Sequence, residues 1–305
     1  MTSEAAVNPT GEQYEIAAGN RRAVVTEVGA TLRSYTVDGR DVVAGFAADQ
    51  VISGGRGMQL LPWPNRIRDG RYTFNGKTQQ LVLSEPARHN AIHGLVRHQP
   101  WRLISHTADR VEQRIRVYPQ PGWPGIIEAT IVHTVGDDGV VTNVSVTNIG
   151  TVAVPYGYAA HPYLTVGEDT VDDVVISIPA ERYLAVDDRL LPVDLLLVEG
   201  RDEDMRTAAP LGQRSFDTAL SGLARGADGR WRARLERGDR WAELWADEGL
   251  DWVQVFTGNE RRDLSIAVEP MTCGPNAFNP GPTHDGLVVL EPGETATYEW
   301  GIDGA

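Results

Sequence analysis

The chain has 305 residues, of which 41% are hydrophobic and 23% charged, an ordinary globular balance in which 32 glycines and 18 prolines punctuate many short elements. Its 42 acidic against 28 basic residues give a formal charge of -14, which opposes extended contact with phosphate backbones or anionic lipid, so neither nucleic acid nor a membrane is an expected partner. Cys273 is the only cysteine, so no intramolecular disulfide and no cysteine metal cluster can form, which fits a reducing compartment.

The first six residues lack a basic region followed by an apolar run, and no later segment approaches the length of a membrane span, which makes a cytoplasmic location the expectation. Residues 1–13 are polar and are expected to be disordered, with one continuous domain over 14–305. In chain order, residues 22–28 read as a strand, followed by a hairpin turn at Asp38-Gly39. The arginines of Arg66-Ile67-Arg68-Asp69-Gly70-Arg71 carry an interleaved aspartate and read as the approach to a strand rather than as a nucleic-acid patch. Further hairpin turns fall at Asn75-Gly76 and Asp138-Gly139, where glycine supplies the positive φ of primed turns. Residues 140–148 alternate Val with Asn, Ser and Thr, the period of a strand with one buried face, and 231–236 repeat the pattern. Residues 179–226, broken by Asp, Arg and Pro, read as a long, less regular segment, either functional or decorated with short elements. Strands are expected at 252–257, 264–268 and 295–300. The sum is an all-β protein, a large antiparallel β-sandwich with few helices.

Four residues have settings suited to chemistry. His93 precedes Gly94, where the backbone can turn tightly or approach a ligand; packing in a turn is the competing reading. His161 lies in a tyrosine-rich, weakly polar stretch where burial would perturb an imidazole, although a core histidine bonded to a tyrosine hydroxyl or a carbonyl would look the same. Glu269 follows the apolar run 264–268 and precedes Pro270, which places a carboxylate where a buried strand meets a loop. Asp217 sits in a setting common to turns and caps. His89, His93 and His98 could be offered as metal ligands, but on a strand their spacing points the third away from the first two, and in a helix only one pair would converge. No HExxH, phosphate-binding loop or G-x-S-x-G elbow is present.

Taken in order, the segments Leu61-Pro62-Trp63-Pro64-Asn65-Arg66-Ile67, Asn90-Ala91-Ile92-His93-Gly94, His161-Pro162-Tyr163, Phe216-Asp217, Glu269-Pro270 with Asn276-Ala277-Phe278-Asn279, and Leu290-Glu291-Pro292-Gly293-Glu294 resemble the aldose 1-epimerase (galactose mutarotase-like) family. The resemblance spans about residues 20 to 300. It implies the galactose mutarotase-like supersandwich, with a sugar cleft on one concave face. It also implies catalytic roles for His161, Glu269 and His93, and sugar-hydroxyl binding by Asn65, Arg66 and Asp217. The partner it implies is a small-molecule aldohexose such as glucose or galactose, bound by a monomer or homodimer. Glu269-Pro270-Met271-Thr272 and Asn276-Ala277-Phe278-Asn279 look more like bacterial relatives than like the galactose-specific members, which leaves the sugar open.

Anomer exchange requires a proton delivered to the ring oxygen and another removed from the anomeric hydroxyl, so one acid and one base suffice, and no cofactor or metal is needed. The expectation is that Glu269 takes the C1 hydroxyl proton while a protonated His161 donates to the ring oxygen. His93 would hold the ring-oxygen side. The competing readings are a non-catalytic carbohydrate-binding or sugar-sensing module of the same fold, a hexose-phosphate mutarotase, and a glycoside hydrolase working through Asp217 and Glu269.

Overall fold

A computed structural model describes residues 7–167, 169–258 and 264–305 of the chain. Antiparallel strands dominate it, and its helices are the single 3-10 turns Pro86–Arg88, Val171–Asp173 and His284–Gly286 among the described residues. Alternating sequence becomes alternating burial. In Gly139–Asn148 the side chains of Val140, Thr142, Val144 and Val146 are buried while Val141, Asn143, Ser145 and Thr147 face outward. Trp231–Arg237 likewise buries Trp231, Ala233 and Leu235.

Two sheets carry the architecture. The nine-stranded sheet runs, from one edge to the other, through Arg102–His106, Arg110–Val117, Ile127–Gly136, Gly139–Asn148, Thr295–Gly304, Arg240–Ala246, Trp231–Arg237, Val175–Ser177 and Ala209–Pro210. The twelve-stranded sheet begins with Gln13–Ala18, Arg21–Thr26, Leu32–Val37 and Arg40–Val43, then passes through Tyr163–Leu164, Ile266–Met271, Trp252–Phe256, Asp217–Leu223, Ala180–Val186 and Pro192–Leu197. Its remaining strands, Ala159–Ala160 and Gln59–Leu60, pair with each other, and the first also pairs with Ile266–Met271. One buried cluster joins Ile16, Val25 and Tyr35 of this sheet to Ile131, Val144, Trp300 and Ile302 of the other, which makes the pair a sandwich. Each large apolar side chain fully buried there contributes about 2 kcal/mol.

The turn glycines behave as their sequence suggests at two of three hairpins. Asp38-Gly39 and Asn75-Gly76 take left-handed φ at both central residues, 51° and 76° and then 48° and 73°, the type I′ pattern. At the third, Gly136 pairs with Gly139, so the turn is Asp137-Asp138, one residue earlier than expected; Gly139, with φ 89°, opens the next strand. The segment 179–226 is decorated with short elements, one of the two outcomes expected of it. It holds Ala180–Val186, Pro192–Leu197, Ala209–Pro210 and Asp217–Leu223. The first two of these close one edge of the larger sheet, where open sides leave Val193 and Leu197 exposed and break the alternation that would have marked strands. Of the N-terminal segment, residues 1–6 lie outside the described residues. Thr10 is buried, and Gln13 begins a strand.

Candidate active site

The site is built on the larger sheet by register. Tyr163 pairs with Ala267 and Ala159 with Met271, which sets His161 opposite Glu269. On the other side Glu269 pairs with Gln254, and Gln254 with Ala219. Directly opposed residues of an antiparallel ladder share a face, so His161, Glu269 and Gln254 form one row across the sheet. Asp217, two residues before Ala219, falls on the same face, and its Oδ1 accepts a hydrogen bond from Gln254 Nε2 at 2.6 Å. Glu269 therefore lies inside the strand Ile266–Met271 rather than at a strand end. Pro270, which has no N–H for a ladder, is accommodated because the neighbouring chain is interrupted between Ala159–Ala160 and Tyr163–Leu164.

The opposite wall comes from the short strand pair Arg66–Arg68 and Asn90–Ile92 and the turns that flank it. Asn65 and His93 both adopt left-handed backbone, with φ of 48° and 63°, and the His93 N–H donates to the Asn65 carbonyl at 2.9 Å. Gly94 follows at φ 67°, so close to Leu61 that a Cβ would stand 2.1 Å from the Leu61 carbonyl oxygen. That approach is why His93 is followed by glycine. The Arg66 guanidinium grips Glu85: Nε lies 3.0 Å and 3.2 Å from the two carboxylate oxygens and Nη2 3.1 Å from one of them. Arg66 Nη2 also lies 3.8 Å from Asp217 Oδ2, and Nη1 donates to Asn65 Oδ1 at 3.4 Å. Glu85 receives further bonds from Arg88 and Asn90, both at 3.0 Å. Neither Glu85 nor Gln254 stood out in the sequence. Glu85 reads there as an exposed acid before a proline, and only the fold brings it to Arg66.

Between the two walls lies a cleft of about 300 Å³, lined by Asn65, Arg66, His93, His161, Asp217 and Glu269, the six residues singled out in the sequence, and also by Glu85, Arg88 and Arg97. The volume is at the lower end for small-molecule sites. His161 Nε2 stands 3.3 Å from Glu269 Oε1, with both side chains almost wholly buried. The His161 ring stacks on Tyr163 at 5.2 Å and meets the edge of His93 at 5.5 Å, which fixes its plane. Gly55 lies against the same ring, where a Cβ would approach its Cδ2 to 3.0 Å. Among the described residues, His93 Nδ1 and Glu269 Oε2 are buried without a hydrogen-bond partner. Of the other histidines considered, His89 bonds Asp69 at 3.0 Å on the surface and His98 is exposed.

Burial sets the protonation of the pair. Desolvation, reinforced by nearby Asp217, pushes the Glu269 carboxyl well above the usual glutamate range, and Arg66 offsets this only in part. Desolvation likewise pushes the His161 imidazole down to about 3. His93 is depressed by burial, then by His161 and the arginines. Burial therefore favours a neutral His161 and a protonated Glu269, the reverse of the expected protonated histidine, because separating charge in a dry site is unfavourable. Asp217 is raised by burial, which outweighs Arg66. Burial also acts to raise Glu85, but its bonds from Arg66 and Asn90 prevail and hold it low.

The sequence profile of the aldose 1-epimerase family matches residues 12–302. The chain belongs to the aldose 1-epimerase family. Within that family it is similar to YihR, an uncharacterised Escherichia coli protein, with 32% identity over 286 residues, 93% of this chain and 91% of the relative. It is 25% identical to the galactose mutarotase of Sus scrofa over 93% of this chain and 91% of that one. Among solved structures, a galactose mutarotase-like protein from Clostridium acetobutylicum superposes with a TM-score of 0.86 at 17% identity, covering 95% of this chain and 94% of that one. A Caenorhabditis elegans aldose epimerase homologue gives 0.83 at 19% identity, covering 96% and 98%. At these identities the superpositions speak for the aldose 1-epimerase fold and not for a particular sugar.

Proposed function

We propose that the chain interconverts the α and β anomers of a free aldose, with His161 and Glu269 as its proton-transfer pair. The observation that carries this is their in-register pairing, 3.3 Å apart, buried and facing the cleft. In ring opening, Glu269 removes the C1 hydroxyl proton while His161 protonates the ring oxygen. The C1–O bond to the ring oxygen breaks as the C1 carbonyl forms. At that stage Glu269 is protonated and His161 neutral, the distribution that burial favours. The aldehyde then turns about the C1–C2 bond, and the same two groups, with roles reversed, close the ring on its other face. The pair carries one proton throughout, and its position alternates between the two residues.

The remaining residues position the sugar. Arg66, held by Glu85, and Asp217, held by Gln254, supply charge-assisted hydrogen bonds to ring hydroxyls without having to reorganise. His93 covers the ring-oxygen side beside His161.

Polarimetry on freshly dissolved α-D-glucose and α-D-galactose, with the wild-type chain and Glu269→Gln side by side, tests the reading. Wild type should shorten equilibration, and the variant should lose at least about 100-fold in turnover with a smaller change in KM. A Glu269→Gln enzyme as fast as wild type would remove the proposed base.

A further inference from the structure

The guanidinium of Arg66 and the carboxylate of Asp217 meet in the cleft at 3.8 Å, yet they come from different parts of the fold. Asp217 begins the strand Asp217–Leu223 of the larger sheet, and Arg66 belongs to the wall built on Arg66–Arg68 and Asn90–Ile92. Arg189 lies outside the cleft lining and joins the two. It sits in the turn between Ala180–Val186 and Pro192–Leu197, a hairpin whose first strand pairs with Asp217–Leu223. The turn is braced from within: Asp187 Oδ1 accepts hydrogen bonds from the N–H groups of Arg189 and Leu191, at 2.9 Å and 3.0 Å.

The Arg189 side chain is directed at the wall. Its Nε donates to the Arg88 carbonyl at 3.0 Å, and its Nη2 to Asp69 Oδ1 at 2.7 Å, the His89 carbonyl at 2.9 Å and Asn90 Oδ1 at 3.2 Å. The contact with Asn90 fixes more than a distance. A guanidinium has only donors, so it meets the oxygen end of that amide, while the Arg189 carbonyl accepts from the nitrogen end at 3.2 Å. Asn90 is fully buried, so its amide has no water to turn towards. Held this way, Asn90 Nδ2 donates at 3.0 Å to Glu85 Oε2, the same oxygen that Arg66 Nε binds at 3.0 Å. A turned amide would aim its oxygen at that carboxylate and loosen Glu85 from Arg66.

We propose that Arg189 is a positioning residue for the reaction: through Asn90 and Glu85 it sets the orientation of Arg66, and through its own hairpin it sets the spacing of Arg66 from Asp217. This rests on the anomer-exchange reading of the same cleft. Without Arg189 every group that touches the sugar is still present, but wall and floor are free to drift apart. Sugar binding then weakens, while His161 and Glu269, fixed by strand register, keep their geometry.

The test follows two readouts in wild type, Arg189→Ala, Arg189→Lys, Glu85→Gln and the Arg189→Ala/Glu85→Gln double variant, at a temperature where near-UV circular dichroism shows each to be folded. The first is the NMR signal of the Arg66 Nε–H, assigned by its absence from Arg66→Lys. Its exchange with solvent should be at least about 10-fold faster in Arg189→Ala than in wild type, as in Glu85→Gln. The second is polarimetry on α-D-glucose and α-D-galactose. KM should rise about 10-fold in Arg189→Ala with kcat within about 3-fold, and recover in part in Arg189→Lys, which keeps the charge and one donor group; in the double variant it should rise no further than in Glu85→Gln, because the two residues act in one chain. Should Arg189→Ala not fold, the partial loss in Arg189→Lys is read against the same two measures. An Arg66 signal that exchanges as in wild type, an unchanged KM, or effects of Arg189→Ala and Glu85→Gln that add in full overturn the proposal and leave the epimerase reading standing. Exchange of neither sugar by wild type counts against the epimerase reading instead, and the Arg66 signal then decides on its own whether Arg189 positions Arg66.

Discussion

At the scale of single residues, an acid and a base buried side by side share one proton instead of forming a fully charged pair. Desolvation raises Glu269 and lowers His161, so the acid limb of activity should not fall where an ordinary histidine titrates. The working state has one proton on the pair. A second is added only as pH drops towards about 3, and the last is lost as pH rises through the raised Glu269 value. A profile of kcat/KM against pH should therefore show no decline as pH falls from 7 to about 5. A decline centred near 6.5 would mean that His161 titrates as an exposed imidazole. The sequence revealed this pair only through short ordered motifs, since one His-Pro-Tyr or one Glu-Pro is commonplace. Glu85 and Gln254 could not be picked out that way. Their roles depend on the partners they meet across the fold, and no local pattern records them.

At the scale of elements, the cleft needs a backbone that passes closer to its neighbour than any side chain allows. Gly94→Ala would set a Cβ 2.1 Å from the Leu61 carbonyl oxygen at a residue already in the left-handed region. Gly76→Ala, in the hairpin turn between Arg71–Phe74 and Lys77–Gln80, meets only the left-handed backbone, with nothing within 4 Å of the new methyl. Urea unfolding should separate them, at about 2–4 kcal/mol for Gly94→Ala and about 1 kcal/mol for Gly76→Ala. Equal losses would show that the contact with Leu61 relaxes freely. The same contrast explains what the sequence disclosed of the elements. A type I′ turn needs two residues in left-handed backbone and so leaves a local mark at Asp38-Gly39 and Asn75-Gly76. Strands such as Pro192–Leu197 are held by one neighbour at the sheet edge, fully bury none of their side chains and leave no such mark. The sequence places Glu269 at a strand end because Pro270 normally stops a ladder, and the local break in the adjoining chain that accommodates it is a tertiary fact.

At the scale of the whole molecule, the sandwich has a polar tie between its layers. His133, on Ile127–Gly136 of the smaller sheet, bonds Thr142 Oγ1 at 2.9 Å and the Ala30 carbonyl at 3.3 Å, just ahead of Leu32–Val37 in the larger one. Burial lowers its imidazole to about 4. Because the folded value lies below the unfolded one, the folded chain binds fewer protons between the two, and this stability is present above pH 6.5 and lost on the way down to about 4. The loss amounts to about 2 kcal/mol by pH 5. Glu269, shifted the other way, opposes folding progressively as pH rises above its unfolded value, and so does not contribute to acid unfolding. Urea titrations at pH 7 and pH 5 should show His133→Asn to be less stable at neutrality but markedly less sensitive to the pH change; an unchanged sensitivity would assign acid unfolding elsewhere. The all-β class was legible because alternation persists through the central strands, yet sheet order was not, since it joins segments remote in sequence. One such union bears on how the protein is made. Gly139–Asn148 finds its second neighbour in Thr295–Gly304, a segment synthesised far later. During translation the middle of the smaller sheet therefore waits on the order of ten seconds with an open hydrogen-bonding edge beside apolar Val144 and Val146. A nascent chain in that interval is a natural client for ribosome-associated chaperones, and a pause in decoding downstream would extend the exposure.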